Sequence, residues 1–230
     1  LEHHYGNKVE TVNYGVSGDR SEQIHKRINQ QPQIRKDLRA ADVITMTVGG
    51  NDLMQNLEKV VLESSTKKAN HQIDQAGVTY HQKLASLLQA IRKQNHHAPI
   101  FVISIYDPVY TYFPTTKIIT NSMTKWDRIT KSTIQSFGPA YFVDINHTMS
   151  YGQYNTKAKR AKLVHAAQKS NSSMASQKQV EQIVSHRDHN LNKYISTADN
   201  FHPNHRGYEQ MTNHLYRVMR DHDEFEYENR

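Results

Sequence analysis

Ala41-Asp42-Val43-Ile44-Thr45-Met46-Thr47-Val48-Gly49-Gly50-Asn51-Asp52 opens as an apolar run and ends in two glycines and a polar pair. A near-continuous apolar run predicts a strand whose two faces are both covered. The glycines predict a turn, and residues 53–62 continue with helical spacing, so the unit reads strand, turn, helix. Similar units flank it. Upstream, Lys8–Tyr14, with Val9, Thr11 and Val12, predicts a short strand that runs into Asn13-Tyr14-Gly15-Val16-Ser17-Gly18-Asp19-Arg20. Gly15 and Gly18 mark a turn where the backbone takes unusual angles or approaches something closely. Ser21 is placed to cap the next helix, with Ile24 and Ile28 on its inner face and Gln30-Gln31-Pro32 at its end. Downstream, a polar break at Ser64–Lys68 precedes a long helix with Leu84, Leu87, Leu88 and Ile91 at helical spacing. Ile100–Ile105 is the clearest buried strand, followed by an aromatic loop from Tyr106 to Pro114. A helix near 116–136 and a strand at Ala140–Ile145 complete the alternation.

Alternating strands and helices predict a parallel sheet with helices on both faces, and such sheets bind ligands beyond the carboxyl ends of their strands. At 230 residues the chain reads as one domain large enough to bury a core. Residues 146–196 are polar and Lys-rich, with a Ser-rich break at Ser170–Ser173, and read as a helical insertion. The tail from Asp221 is acidic and expected to fray. Lys plus Arg number 29 against 22 Asp plus Glu, a formal charge of +7. The positive residues are dispersed and no nucleic-acid reader motif is present, so a nucleic-acid partner is not expected. With no cysteine, disulfides, thiolate metal sites and a Cys nucleophile are excluded. No apolar run approaches a membrane span and no signal-peptide pattern is present.

Near the carboxyl end stands Thr197-Ala198-Asp199-Asn200-Phe201-His202-Pro203-Asn204-His205-Arg206-Gly207-Tyr208. An Asp three residues before a His can accept a hydrogen bond from one ring nitrogen, which fixes the tautomer and frees the other nitrogen as a general base. Pro203 pushes His202 out of helical geometry, so the pair belongs on a loop. Asn204 is a good N-cap for a following helix whose Tyr208, Met211, Leu215 and Val218 form one apolar face. The polar clusters Gly15–Asp19, Gly49–Asp52 and Asp199–His202 are thereby expected at one rim of the sheet.

These clusters resemble three of the sequence blocks of the SGNH, or GDSL-type, hydrolases. Asn13 to Gly18 is similar to the second block, Asn-x-Gly-x-Ser-Gly. Gly49-Gly50-Asn51-Asp52 is similar to the third, Gly-x-Asn-Asp, and Asp199 to Pro203 to the fifth, Asp-x-x-His-Pro. The wording around Met46–Leu53 and Phe201–Asn204 resembles a Gram-positive branch of lipases and acylhydrolases. The resemblance implies a three-layer α/β/α sandwich with a mainly parallel, flavodoxin-like sheet. It also implies a serine ester hydrolase working through an acyl-enzyme, with no cofactor. His202 would be the base and Asp199 its orienting carboxylate. The Gly18 backbone N–H and the Asn51 amide would form the oxyanion hole, where each donor contributes roughly 3–4 kcal/mol. Read singly, Gly18 is a turn glycine and Asn51 a cap of the following helix. The resemblance implies a small-molecule, lipid or glycan ester as the substrate class.

One block departs. The sequence contains no Gly-Asp-Ser, the family's first block, which carries the nucleophile on the first strand. Gly15-Val16-Ser17-Gly18 lacks nucleophile-elbow spacing. A strand, turn and crossover helix need about 30 residues, so the first strand is expected upstream of Leu1, together with the serine. In this branch that segment often carries a signal or membrane anchor. The resemblance therefore implies a cell-surface or extracellular setting, with the cytoplasm as the alternative. Two other readings stay open: an SGNH-like pseudo-enzyme or binding module without a nucleophile, and a metal hydrolase using Asp199, His202 and His205. The aromatic loop Tyr106–Phe113 reads equally as a pocket wall or as rim packing. The Lys-rich insertion reads as a solvated helical face, or as a lid or polyanion contact.

Overall fold

The computed structural model describes residues 9–60, 63, 65–169 and 191–222. Three short strands, β1 (Ile44–Thr47), β2 (Ile100–Ile103) and β3 (Ala140–Val143), form a parallel sheet in the order β1-β2-β3. Ile44 stands beside Ile100, and Ile100 beside Ala140. Helices α1 (Ser21–Gln30) and α2 (Pro32–Ala40) precede β1. Helices α3 (Gly50–Val60) and α4 (Thr66–Gln94) join β1 to β2, and α5 (Lys117–Ile134) joins β2 to β3. After β3 come α6 (Asn146–Tyr151), α7 (Lys157–Lys169) and α8 (His205–Asp221).

The core has two parts because strand residues alternate between faces. Ile100 and Val102 face a large cluster with Leu84, Leu87, Leu88 and Trp126 from α4 and α5. Phe101 and Ile103 face a smaller one with Val143, Met149 and the Met211, Leu215 and Val218 stripe of α8. β2 is buried along its whole length, as its sequence predicts. The three α4 leucines have no exposed surface, and burying each stabilises by about 1.5–3 kcal/mol. Ser65 caps α4 by accepting from Lys68 N at 3.4 Å, so the predicted polar break is the helix start.

Several expectations are corrected. Residues 9–14 form no strand. The described sheet gives them no neighbour to pair with, and side chains hold them instead: Arg27 donates to the Tyr14 carbonyl at 2.8 Å, and the Tyr14 hydroxyl bonds to Asp37. β1 is shorter than Ala41–Val48 and is covered on one face only. Thr45 and Thr47 are exposed, because β1 is an outer strand of the described sheet and α8 packs against β2 and β3 instead. Arg20, not Ser21, is the N-cap residue of α1. Pro32 ends α1 but also opens α2, the helix position where proline fits best. Tyr208 is 53% exposed rather than on the buried stripe; Gly207 takes the inner place, where a Cβ would meet the Tyr194 carbonyl at 2.4 Å. The Ser-rich break at Ser170–Ser173 and most of the acidic tail lie outside the described residues.

Candidate active site

Each strand hands the chain to a loop at its carboxyl end, and these loops build the site. After β1, Gly49 turns the chain with φ +97° and leads into α3. A side chain there is strained by the backbone and blocked by Tyr80, whose hydroxyl oxygen would lie 2.4 Å from a Cβ. Tyr80 in turn hydrogen-bonds Thr130 at 2.9 Å and stacks on Trp126. The position of Asn51 is thus fixed by the core beneath it.

Asn51 and Asp52 then reach in different directions. The Asn51 amide donates to the Asp19 carbonyl at 3.0 Å. Asp52 is buried and accepts from Ser21 N at 3.0 Å and Ser21 Oγ at 2.5 Å, anchoring the start of α1. Burial pushes the Asp52 carboxyl up from its usual range, against those two bonds. Together they clamp the Gly15–Asp19 turn onto α3. Gly18 has φ +86°, and nothing lies within 4 Å of where its Cβ would be. Its N–H carries no hydrogen bond among the described residues, and Asn51 keeps a second amide hydrogen. The structure therefore brings Gly18 and Asn51 together, both open to solvent.

Asp199 and His202 form a second unit. His202 Nδ1 and Asp199 Oδ2 are 2.7 Å apart. Asp199 Oδ1 also accepts from the backbone N–H groups of Phe201 and His202, each at 2.9 Å. Partial burial pushes the Asp199 carboxyl up, but the three hydrogen bonds outweigh it and hold its pKa below the ordinary value. A carboxylate on Nδ1 selects the Nδ1–H tautomer and leaves Nε2 as the basic nitrogen. No described group hydrogen-bonds that nitrogen. The loop is pinned at both ends. Ile195 bridges Pro203, Asn204 caps α8 by accepting from Gly207 N at 3.1 Å, and the Tyr106 hydroxyl donates to the Phe201 carbonyl at 3.0 Å.

Tyr106 follows β2, so it ties the His202 loop to the same sheet end that carries Asn51. Burial, first, raises its pKa and keeps the hydroxyl a donor. Among the described residues no hydrogen bond or ion pair joins the Asp199–His202 pair to Gly18 or Asn51. His205 points elsewhere: it is exposed and pairs with Glu209 at 3.3 Å. Among the described residues no cluster of three or more His, Asp or Glu could hold a metal ion.

Tyr106 was legible only as a member of an aromatic loop; its role needs the Phe201 carbonyl, which lies 95 positions away. A partly buried network that sequence reasoning missed ties the start of that loop to α5 and α6. Asp127 accepts from Ile105 N at 3.0 Å and from Asn146 Nδ2 at 2.5 Å. Ser150 Oγ donates to Asn146 Oδ1 at 2.7 Å and accepts from Asp107 N at 2.8 Å. Burial pushes the carboxyls of Asp107 and Asp127 up to about 7.

A family model for GDSL-like lipases and acylhydrolases matches residues 3–215. An uncharacterized protein of Bacillus subtilis (strain 168), YpmR, is 24% identical over 212 residues, covering 92% of this chain and 67% of the relative. The crystal structure of the lipase Lip_vut3 from a goat rumen metagenome superposes with a TM-score of 0.64 at 20% identity, covering 94% of this chain and 82% of the other. At that identity the match shows the fold.

Proposed function

The chain belongs to the GDSL-like lipase/acylhydrolase family, and on that premise we propose that it is a serine ester hydrolase acting through an acyl-enzyme. His202 takes the nucleophile's proton on Nε2 and returns it to the leaving alcohol. Asp199 orients the ring and stabilises the imidazolium that forms. The Gly18 N–H and the free Asn51 amide hydrogen receive the tetrahedral oxyanion. The observation that carries this reading is the Asp199 carboxylate. It holds both the ring and the backbone of His202, so the base is fixed in tautomer and position.

The serine is the remaining part. Among the described residues β1 has a hydrogen-bonded neighbour on one side only, and the Gly18 turn and Asn51 lie at its carboxyl end. A parallel strand on the open side of β1 would deliver its following residue to that rim, next to the oxyanion donors. In this account the nucleophile sits there, on a segment preceding Leu1. The substrate is a carboxylic ester of a small molecule, lipid or glycan.

Hydrolysis of p-nitrophenyl esters of increasing acyl length by the full-length protein tests this. The expected result is saturable turnover that His202→Ala reduces by several orders of magnitude. Turnover no faster than buffer for every ester, or equal turnover in His202→Ala, would leave a binding module in place of an enzyme.

A further inference from the structure

The 36 residues from 145 to 180 contain six Lys or Arg and no Asp or Glu. Four of these cations, Lys157, Lys159, Arg160 and Lys162, fall in the first half of α7, a helix with almost no inward face. Several cations elsewhere are compensated: Arg20 and Lys83 pair with Glu22, Arg27 with Asp19, and Lys125 with Asp74. Among the described residues none of the four α7 cations has a carboxylate partner. A self-repelling cluster of this kind costs stability unless an anion occupies it.

Arg160 is not simply solvated. Its guanidinium lies over the Tyr151 ring, 4.4 Å from the centroid. Its Nη1 donates to the Tyr154 carbonyl at 3.3 Å and stands 3.5 Å from His147 Nε2. Tyr151 is held edge-on by Tyr110 at 4.6 Å and by His147 at 4.9 Å. The guanidinium is thus seated on an aromatic shelf, and among the described residues its remaining N–H groups have no hydrogen-bond partner. A planar fork held this way matches a phosphate or carboxylate oxygen pair.

The shelf is coupled to the catalytic rim by two short routes. Ser150, beside Tyr151, accepts from Asp107 N, and the neighbouring Tyr106 holds the Phe201 carbonyl. Gly152, on the other side of Tyr151, packs against Asn192, whose carbonyl accepts from Ile195 N, and Ile195 bridges Pro203. Tyr110 and Tyr151 follow β2 and β3 at the same sheet end as His202.

We infer that the Arg160–Tyr151 shelf, with Lys157 one turn earlier on the same side of α7, is a subsite for a phosphate-bearing group on the ester substrate. The inference rests on the hydrolase reading for the word substrate, but the binding itself does not. α7 has no apolar face to insert into a bilayer, so the contact is made to the charged group and not to acyl chains.

Equilibrium binding of the full-length protein tests it, using phosphatidylcholine vesicles with and without phosphatidylglycerol, and soluble glycerol phosphate as competitor. Binding is expected only with phosphatidylglycerol or glycerol phosphate. Arg160→Gln should weaken it about five-fold or more, given about 1 kcal/mol per cation at an anionic surface. Arg160→Lys should weaken it too, because the fork is lost while the charge stays. The charge control Lys67→Gln/Lys68→Gln on α4 should bind as the parent does. Competition by glycerol phosphate assigns the shelf to a free phosphate ester; vesicle binding without competition assigns it to a lipid headgroup. Either supports the subsite. Equal binding by the parent, Arg160→Gln and Arg160→Lys, with folding verified by circular dichroism, overturns it. The readout does not need turnover. A protein that binds but hydrolyses no ester keeps the subsite and loses the hydrolase reading.

Discussion

Asp199→Asn separates the chemistry of the His202 loop from its stability. The carboxylate accepts three hydrogen bonds: Oδ1 from the N–H groups of Phe201 and His202, and Oδ2 from the ring at 2.7 Å. Asparagine keeps the Oδ1 acceptor, so the loop retains both backbone bonds. What changes is the partner of Nδ1, which becomes an NH2 donor. The ring must then present its unprotonated Nδ1 to that donor and carry its proton on Nε2, the nitrogen that should accept. Asp199 is 38% exposed at its side chain, so the fold should lose no more than about 1 kcal/mol, the net worth of one hydrogen bond. The rate should fall far more. Reversing the tautomer in a serine hydrolase lowers kcat by about four orders of magnitude, whereas KM depends on contacts the substitution leaves alone. Steady-state hydrolysis of a p-nitrophenyl ester by the full-length protein, with thermal melting alongside, reads both. Activity within about three-fold of the parent, at unchanged stability, would refute the role given to Asp199.

Asn51→Ala should lower kcat by about 10²–10³ with little change in KM, the usual loss of one oxyanion donor; equal kcat removes Asn51 from the site. Gly49→Ala combines a left-handed backbone with a 2.4 Å contact to the Tyr80 hydroxyl. It should cost about 2–4 kcal/mol, seen as a fall in denaturant midpoint, and an unchanged midpoint contradicts the packing described. Tyr106→Phe leaves the Phe201 carbonyl without its donor and should cost about 1 kcal/mol in stability and lower kcat. An effect on stability alone would make Tyr106 a structural tie only. Asp107 and Asp127, with folded pKa values of about 7 against 3.8 unfolded, contribute stability that is full below 3.8 and lost as pH rises through 7. From pH 6 to pH 8 each should cost on the order of 1 kcal/mol. Urea titrations should show that slope, reduced in Asp127→Asn; an identical slope in the variant argues against a neutral Asp127.

The parts of the fold that were legible are those where local pattern and tertiary role agree. The α4 stripe and the β2 run each carry their period without interruption, and Asn204 caps α8 as its side chain suggests. The failures share a cause. Val9, Thr11 and Val12 have strand propensity, but a strand exists only beside a neighbour, and no local signal says whether one is present. The continuous apolar run predicts cover on both faces at Thr45 and Thr47; their exposure depends on how far α8 reaches. In the site, Asp199–His202 was legible because both partners lie within one turn of chain. The Asn51 contact to Asp19 and the Tyr106 tie to Phe201 cross 32 and 95 positions, and spacing carries no trace of them. The Asp127–Asn146–Ser150 network was missed for the same reason: it joins residues from two helices that look like ordinary surface positions.

The most direct test is stoichiometric labelling of the full-length protein with a fluorophosphonate, read by mass spectrometry. The account predicts one labelled serine per chain, preceding Leu1 in sequence, with labelling abolished in His202→Ala. An unlabelled protein, or a label whose rate is indifferent to His202, would contradict it.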